Sequence, residues 1–181
     1  IVVMTNGNIS QEAAPGQTSD NLIVPTLGLP KTMEGSFEVS FPEVVKFVDA
    51  RYRTLANSQN RAIAGLSMGG FHSLYISINN PKTFGYVGLF SAAIGKGQKT
   101  GGSNEYIYDN FDKKLADLFA AKPKLFWVGI GKSDFLYKDN TAFREKLTKN
   151  HYPFTYMETE GGHIWRNWRI YLSEYAQKIF K

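Results

Sequence analysis

Arg61-Ala62-Ile63-Ala64-Gly65-Leu66-Ser67-Met68-Gly69-Gly70 is the stretch on which the fold turns. Residues 61–66 read as a short strand, and Met68 to Ile78, with Leu74, Tyr75 and Ile78 on one face, read as a helix. Ser67 stands at the junction. The segment Gly65-Leu66-Ser67-Met68-Gly69 matches G-x-S-x-G, a pattern weak by its letters and informative by its place. A serine at a sharp strand-to-helix turn has its hydroxyl pushed above the sheet edge. Small residues two before and two after it let neighbouring backbone pass closely. Gly70 adds room for the helix to approach the sheet. The competing reading makes Ser67 an N-cap in a glycine-rich turn, since serine is a favoured cap.

Outward from this junction, strand and helix patterns alternate. Tyr86 to Phe90 reads as a strand, residues 108–120 as a helix, and Lys124 to Gly131 as an almost continuous apolar run of the kind that suits a strand covered on both faces. A helix over 140–149, a strand over Phe154 to Glu158 and a last helix over 164–180 complete the series. Upstream, Phe41, Val44, Val45, Val48 and Tyr52 recur at helical spacing, which predicts a helix over 41–53 with Pro42 in its first turn. Alternation of this kind predicts an α/β fold: a mostly parallel sheet with helices on both sides, in three layers. Residues 1–7 read as a buried strand running into a turn, so 1–181 is expected to be the C-terminal part of a single domain whose N-terminal strands are missing from the chain. The segment 8–35, with Pro15, Pro25 and Pro30, and the segment Ser91 to Asn104, with four glycines, read as loops able to cover a site.

Composition narrows the chemistry. An apolar fraction of 43% against 20% charged is that of a folded chain, and 181 residues suffice for one domain with a core. No stretch approaches the roughly 20 apolar residues of a membrane span, so no membrane partner is expected. The net charge of +5 is spread without a basic block, which argues for a solvated surface and against nucleic acid. The absence of cysteine excludes disulfides, thiolate nucleophiles and thiolate metal sites. Three scattered histidines without carboxylates at ligand spacing argue against a metal, and no cofactor is expected. Asn8-Ile9-Ser10 fits a glycosylation acceptor, a pattern common by chance.

A serine hydroxyl becomes a nucleophile when a base takes its proton. With three histidines the candidates can be taken in turn. His72 lies one turn into the helix after Ser67 and points along its flank. His151 precedes a strand and so falls at the opposite sheet edge. His163 follows Gly161-Gly162 after the last strand, at the same edge as Ser67, and its competing role is helix capping. The third member must accept a hydrogen bond from the imidazole. Asp134, just past the apolar strand, lies at that edge and yields the chain order Ser, Asp, His; Glu160 and Asp139 are its competitors. The backbone N–H of Met68, at the positive end of the helix, is one oxyanion donor. The second is expected from a loop after an earlier strand, outside this chain.

These residues resemble a known family. Residues 61–70, preceded by Tyr52-Arg53, look like the nucleophile block of the esterase-D-like α/β-hydrolases. That group includes feruloyl and acetylxylan esterases, S-formylglutathione hydrolases, enterochelin esterases and mycolyltransferases. Gly161-Gly162-His163-Ile164-Trp165-Arg166-Asn167-Trp168 resembles the histidine block, most like the feruloyl and acetylxylan esterases of carbohydrate esterase family one. Gly129-Ile130-Gly131-Lys132-Ser133-Asp134 is similar to the acid block. The resemblance implies an α/β-hydrolase sandwich with a triad of Ser67, Asp134 and His163. It implies hydrolysis of feruloyl or acetyl esters on plant cell-wall xylan, a small-molecule or polysaccharide ester as partner, and a secreted or periplasmic location. An acyltransferase or thioesterase of the same fold is the nearest rival, and a noncatalytic carbohydrate-binding domain is the rival from another class. Trp165, Trp168, Leu172, Tyr175 and Ile179 form a stripe on the last helix of the kind that is usually core. Trp168 is read as packing, and Trp165 as a candidate wall of an aromatic acyl pocket.

Overall fold

A computed structural model describes residues 1–5, 33–95 and 103–181. Four strands, β1 (Ala62–Leu66), β2 (Tyr86–Phe90), β3 (Leu125–Gly131) and β4 (Thr155–Thr159), form a parallel sheet in the order β1-β2-β3-β4. Among the described residues five α-helices accompany them: α1 (Ser36–Arg51), α2 (Met68–Asn79), α3 (Phe111–Ala120), α4 (Tyr137–Lys149) and α5 (Trp165–Ala176). Parallel neighbours in chain order require a crossover after each strand, and right-handed crossovers in one direction place successive helices on one face. The side-chain period of two then sorts the core. Val87, Leu89, Phe126 and Val128 join Phe71 and Leu74 of α2, Leu115 and Leu118 of α3, and Phe143 and Leu147 of α4. Their neighbours Tyr86, Phe90 and Trp127 point the other way, onto Trp168, Tyr171 and Tyr175 of α5. Three layers result, with the C-terminal ends of all four strands at one edge.

The strand expected at the start of the chain is not formed over its described part. Residues 1–5 carry no strand pairing, and Ile1, Val2 and Met4 are exposed. No described strand runs alongside them, and an extended segment without a ladder leaves its amide groups to water. Residues 6–7 of that reading, the loop from 8 through 32 with Asn8-Ile9-Ser10, and residues 96–102 lie outside the described residues. Among the described residues no helix is long and apolar enough to cross a membrane.

The upstream helix begins at Ser36 rather than at residue 41, so Pro42 is its seventh residue and not in its first turn. Proline there removes the hydrogen bond that would reach the Glu38 carbonyl. Tertiary contacts offset the loss: Glu38 is fully buried, its Oε1 2.7 Å from His72 Nδ1 on α2, and Tyr108 donates its hydroxyl to Oε2 at 3.2 Å. The rings of Phe37 and Phe71 close over His72 at 4.8 and 5.6 Å. The helix expected from residue 108 divides into a 3-10 turn, Glu105–Tyr108, and α3, because Asn110 between them is left-handed at φ 55.

Tyr75 on α2 is buried near this carboxylate. Loss of solvent, with the Glu38 charge second, pushes its hydroxyl from 10.0 up to about 12. Burial and Glu38 push Tyr108 upward as well. A raised value in the folded state means that the fold holds the proton more tightly than the unfolded chain. The stability this contributes is therefore complete below pH 10.0 and is lost as pH rises through about 12. Urea midpoints are expected to fall across that window, and Tyr75→Phe, which has no proton to lose, is expected to flatten the fall.

Candidate active site

Ser67 leaves β1 with φ 54 and ψ −117, a conformation that costs a non-glycine residue on the order of 1–3 kcal/mol. Four backbone hydrogen bonds hold it there. Its N–H donates to the Phe90 carbonyl at 2.8 Å, extending the β1–β2 ladder by one residue. Its carbonyl accepts from Gly70 and Phe71 of α2 at 3.1 and 3.2 Å, and from Ala93, beyond β2, at 3.0 Å. The two motif glycines have different reasons. A Cβ on Gly65 would overlap the Gly69 backbone, whereas a Cβ on Gly69 would meet nothing within 4 Å. Gly69 is thus the surface that Gly65 must approach, and its own side of the turn is open. Ser67 occupies the N-cap position of α2 but its side chain makes no capping bond. Met68 opens the helix, so its N–H is one that no helical carbonyl accepts.

The loops that carry Asp134 and His163 are built against each other. β3 ends at Gly131 and the chain turns tightly, with the Asp134 N–H donating to the Gly131 carbonyl at 3.0 Å. β4 ends at Thr159, and Gly161 follows with φ 84. The two loops are in backbone contact: Lys132 N–H donates to the Thr159 carbonyl at 2.9 Å and Ser133 N–H to the Gly161 carbonyl at 3.0 Å. A Cβ on Gly131 would overlap that Gly161 carbonyl. From α5, Asn167 donates its amide to the Gly162 carbonyl at 3.0 Å. His163 is delivered at the end of this contact.

Its ring bridges the other two side chains. Nδ1 lies 2.9 and 3.1 Å from the carboxylate oxygens of Asp134, and Nε2 lies 2.8 Å from Ser67 Oγ. An ionised carboxylate only accepts, so Nδ1 carries the hydrogen and the lone pair of Nε2 faces the serine hydroxyl. The Asp134 side chain is fully buried, and Leu136 N–H donates to its Oδ1 at 2.9 Å, so the buried charge has two donors. Phe135 and Trp168 flank the imidazole with ring centroids at 4.6 and 4.8 Å. Trp165 meets Trp168 edge-on at 5.2 Å and is 66% exposed, while Phe135 is 75% exposed.

The competing residues lie elsewhere. His72 is buried against Glu38, His151 is exposed between α4 and β4, Glu160 is ion-paired with Lys132 at the surface, and Asp139 is in the first turn of α4. The stripe read along the last helix holds at Trp168, Tyr175 and Ile179, which belong to or pack on the aromatic core, and fails at Trp165 and Leu172. The inward face of α5 is centred on Trp168, Tyr171 and Tyr175, which leaves Trp165 and Leu172 at its exposed border. Two side chains of the site escaped the sequence reading. Asn167 could have been found as a polar residue on the buried face, four positions before Tyr171; Phe135, a lone aromatic after Asp134, has no periodic signal. Among the described residues no group of three or more histidine, aspartate and glutamate side chains is placed to hold a metal ion.

A serine, an imidazole and a buried carboxylate in hydrogen-bonded series at the C-terminal edge of a parallel sheet is the arrangement of the α/β-hydrolase fold. Residues 38–179 match the family described as "Putative esterase", and the chain belongs to this esterase-D-like family. It is 30% identical over 151 residues to an endo-1,4-beta-xylanase/feruloyl esterase of Xylanibacter ruminicola, covering 83% of this chain and 18% of that protein. It is 26% identical to an acetyl esterase of Caldicellulosiruptor saccharolyticus, covering 76% of this chain and 62% of the relative. In fold it is similar to a CE1 ferulic acid esterase from Anaeromyces mucronatus solved in complex with ferulic acid, with a TM-score of 0.67 at 22% identity, covering 83% of this chain and 57% of that one. The chain therefore spans less than two thirds of the length of each of these relatives.

The contrast between the motif glycines is open to measurement. Gly65→Ala is expected to destabilise the protein by about 3 kcal/mol or more, as overpacking against backbone does. Gly69→Ala is expected to leave the urea midpoint unchanged or raise stability by up to about 1 kcal/mol through helix propensity.

Proposed function

We propose that this chain hydrolyses carboxylic esters through an acyl-enzyme on Ser67, and that its substrates are feruloyl or acetyl groups carried by plant cell-wall xylan. The observation that carries the reading is the unbroken series from Ser67 Oγ to His163 Nε2 and from His163 Nδ1 to Asp134. His163 takes the Ser67 proton as Oγ attacks the ester carbonyl, and the Asp134 carboxylate stabilises the imidazolium that forms. The oxyanion develops beside the Met68 N–H at the positive end of α2. Collapse of the tetrahedral intermediate expels the alcohol, which takes its proton from His163. Water then enters by the same route: His163 accepts its proton, the hydroxide attacks the acyl carbon, and Ser67 regains its hydrogen.

The acyl and alcohol groups are read from the family and from the aromatic frame. The relatives include a feruloyl esterase and an acetyl esterase by name. Phe135 presents exposed ring surface beside His163, Trp165 presents its own against Trp168 on the other flank, and a planar cinnamoyl acyl group is the kind of ligand such rings hold by stacking.

In a panel of methyl ferulate, para-nitrophenyl acetate and an acyl thioester, the oxygen esters are expected to be the faster substrates. Ser67→Ala or His163→Ala is expected to lower kcat on the order of 10⁴-fold or more. Trp165→Ala is expected to raise KM for methyl ferulate several-fold and to leave the acetate unchanged. Faster turnover of the thioester, or of acyl transfer to an added alcohol over hydrolysis, sinks the substrate assignment.

A further inference from the structure

We propose that Asn140 is a positioning residue for the triad, whose side-chain amide ties the loop supporting Ser67 to the loop carrying Asp134. The inference rests on the catalytic reading of Ser67, His163 and Asp134.

Asn140 lies in α4 and is fully buried. The inward positions around it are Leu136, Phe143 and Leu147, all buried and apolar, so the spacing calls for another aliphatic residue. The amide instead makes two hydrogen bonds, donating from Nδ2 to the Ala92 carbonyl and to the Leu136 carbonyl, each at 2.9 Å. Both partners are acceptors, so the NH₂ end of the amide faces them. Its Oδ1 has no protein partner, and the side chain therefore acts through its donors.

Each of the two carbonyls belongs to a segment that holds a triad member. On one side, Ser91 turns sharply out of β2 with φ 45, and Ala93, next to Ala92, donates its N–H to the Ser67 carbonyl at 3.0 Å. On the other, the Leu136 N–H donates to Asp134 Oδ1 at 2.9 Å. The contacts close into a ring: Ser67 backbone, Ala93 and Ala92, Asn140, Leu136, Asp134, His163 and back to Ser67 Oγ. Half of that ring is the reacting series, and the other half, with Asn140 at its middle, holds the same two ends from beneath. Ala92 and Asn140 are 48 residues apart in sequence, so no local geometry fixes one against the other. Asn140 is buried under the site, and loss of its bridge is expected to act on kcat through triad alignment rather than on KM.

Asn140→Ser separates the two bonds, because a serine hydroxyl in a helix bonds the carbonyl four residues back, here Leu136, and drops the bridge to Ala92. With para-nitrophenyl acetate, kcat is expected to fall about tenfold or more with KM changed by less than about threefold, the size of loss that sub-ångström misplacement of reacting groups produces. Made in an Asp134→Asn background, the same substitution is expected to cost less than about threefold, because the carboxylate it aligns is gone and coupled residues are non-additive. Equal fold-losses in the two backgrounds, or a change confined to KM, overturn the proposal. Asn140→Asp, of the same shape but acceptor-only when ionised, is read in the same way if Asn140→Ser is not folded by near-ultraviolet circular dichroism. Failure of both to fold also overturns it, since the residue is then a requirement of the fold. Ser67→Ala in the same assay separates the two levels. Full activity there removes the triad reading itself, whereas loss there with an undiminished Asn140→Ser removes only the role of Asn140.

Discussion

The strained, positive-φ backbone of Ser67 is the constraint around which the rest of the sheet edge is arranged. A residue with a side chain occupies that region only when its surroundings over-determine it. Here β1, β2 and α2 do so together, through the Phe90 carbonyl and the amides of Gly70, Phe71 and Ala93. The turn aims the hydroxyl out of the sheet and places the first amide of α2 beside it. It also requires Gly65 to lie against Gly69, and a Cβ on Gly70 would overlap Ala92, so the elbow dictates glycine at two places for reasons of space alone.

A second backbone contact sets the partners of that hydroxyl. The loops after β3 and β4 touch through Gly131 and Gly161, with the amides of Lys132 and Ser133 donating across the gap. Asp134 and His163 therefore emerge from a single joined unit, and the imidazole has little freedom except to face Ser67. The two cores divide the work of supporting this edge. The larger one, beneath α2, α3 and α4, backs the loops that carry Ser67 and Asp134, while the aromatic one under α5 carries Trp168 up against the imidazole.

Polar residues in apolar stripes mark where the fold carries more than a core. Glu38 in α1, Asn140 in α4 and Asn167 in α5 are each buried, and each bonds a group on another element: His72, the Ala92 carbonyl and the Gly162 carbonyl. Unpaired, each would cost more than the aliphatic residue its position invites. Paired, each holds one element in one place against its neighbour, which apolar contacts, being non-directional, do less well.

The alternation of strands and helices, the edge at which they present their loops, and the chemical types at Ser67, Asp134 and His163 were all legible in the chain. They rest on local periodicity and on the rule that parallel strands end on one side. The two-sided core followed from the same patterns, whereas the strand order β1-β2-β3-β4 came from the structure. Periodicity misled where a local signal had a second meaning: Pro42 marked a helix interior rather than a start, and the stripe on the last helix took in Trp165 and Leu172, which lie at the exposed border of its inward face. The apolar run at residues 1–5 had the composition of a strand without a described strand beside it. What only the tertiary structure decided was which distant groups meet. Glu38 with His72, Asn140 with Ala92, Gly131 with Gly161 and Phe135 with His163 are pairings across the fold. No spacing along the chain encodes them, because hydrogen bonds and close contacts between separate elements are set by how those elements dock. By itself, therefore, the sequence determined which residue types could do the chemistry and on which edge they lie, and the docking of the loops determined that they touch.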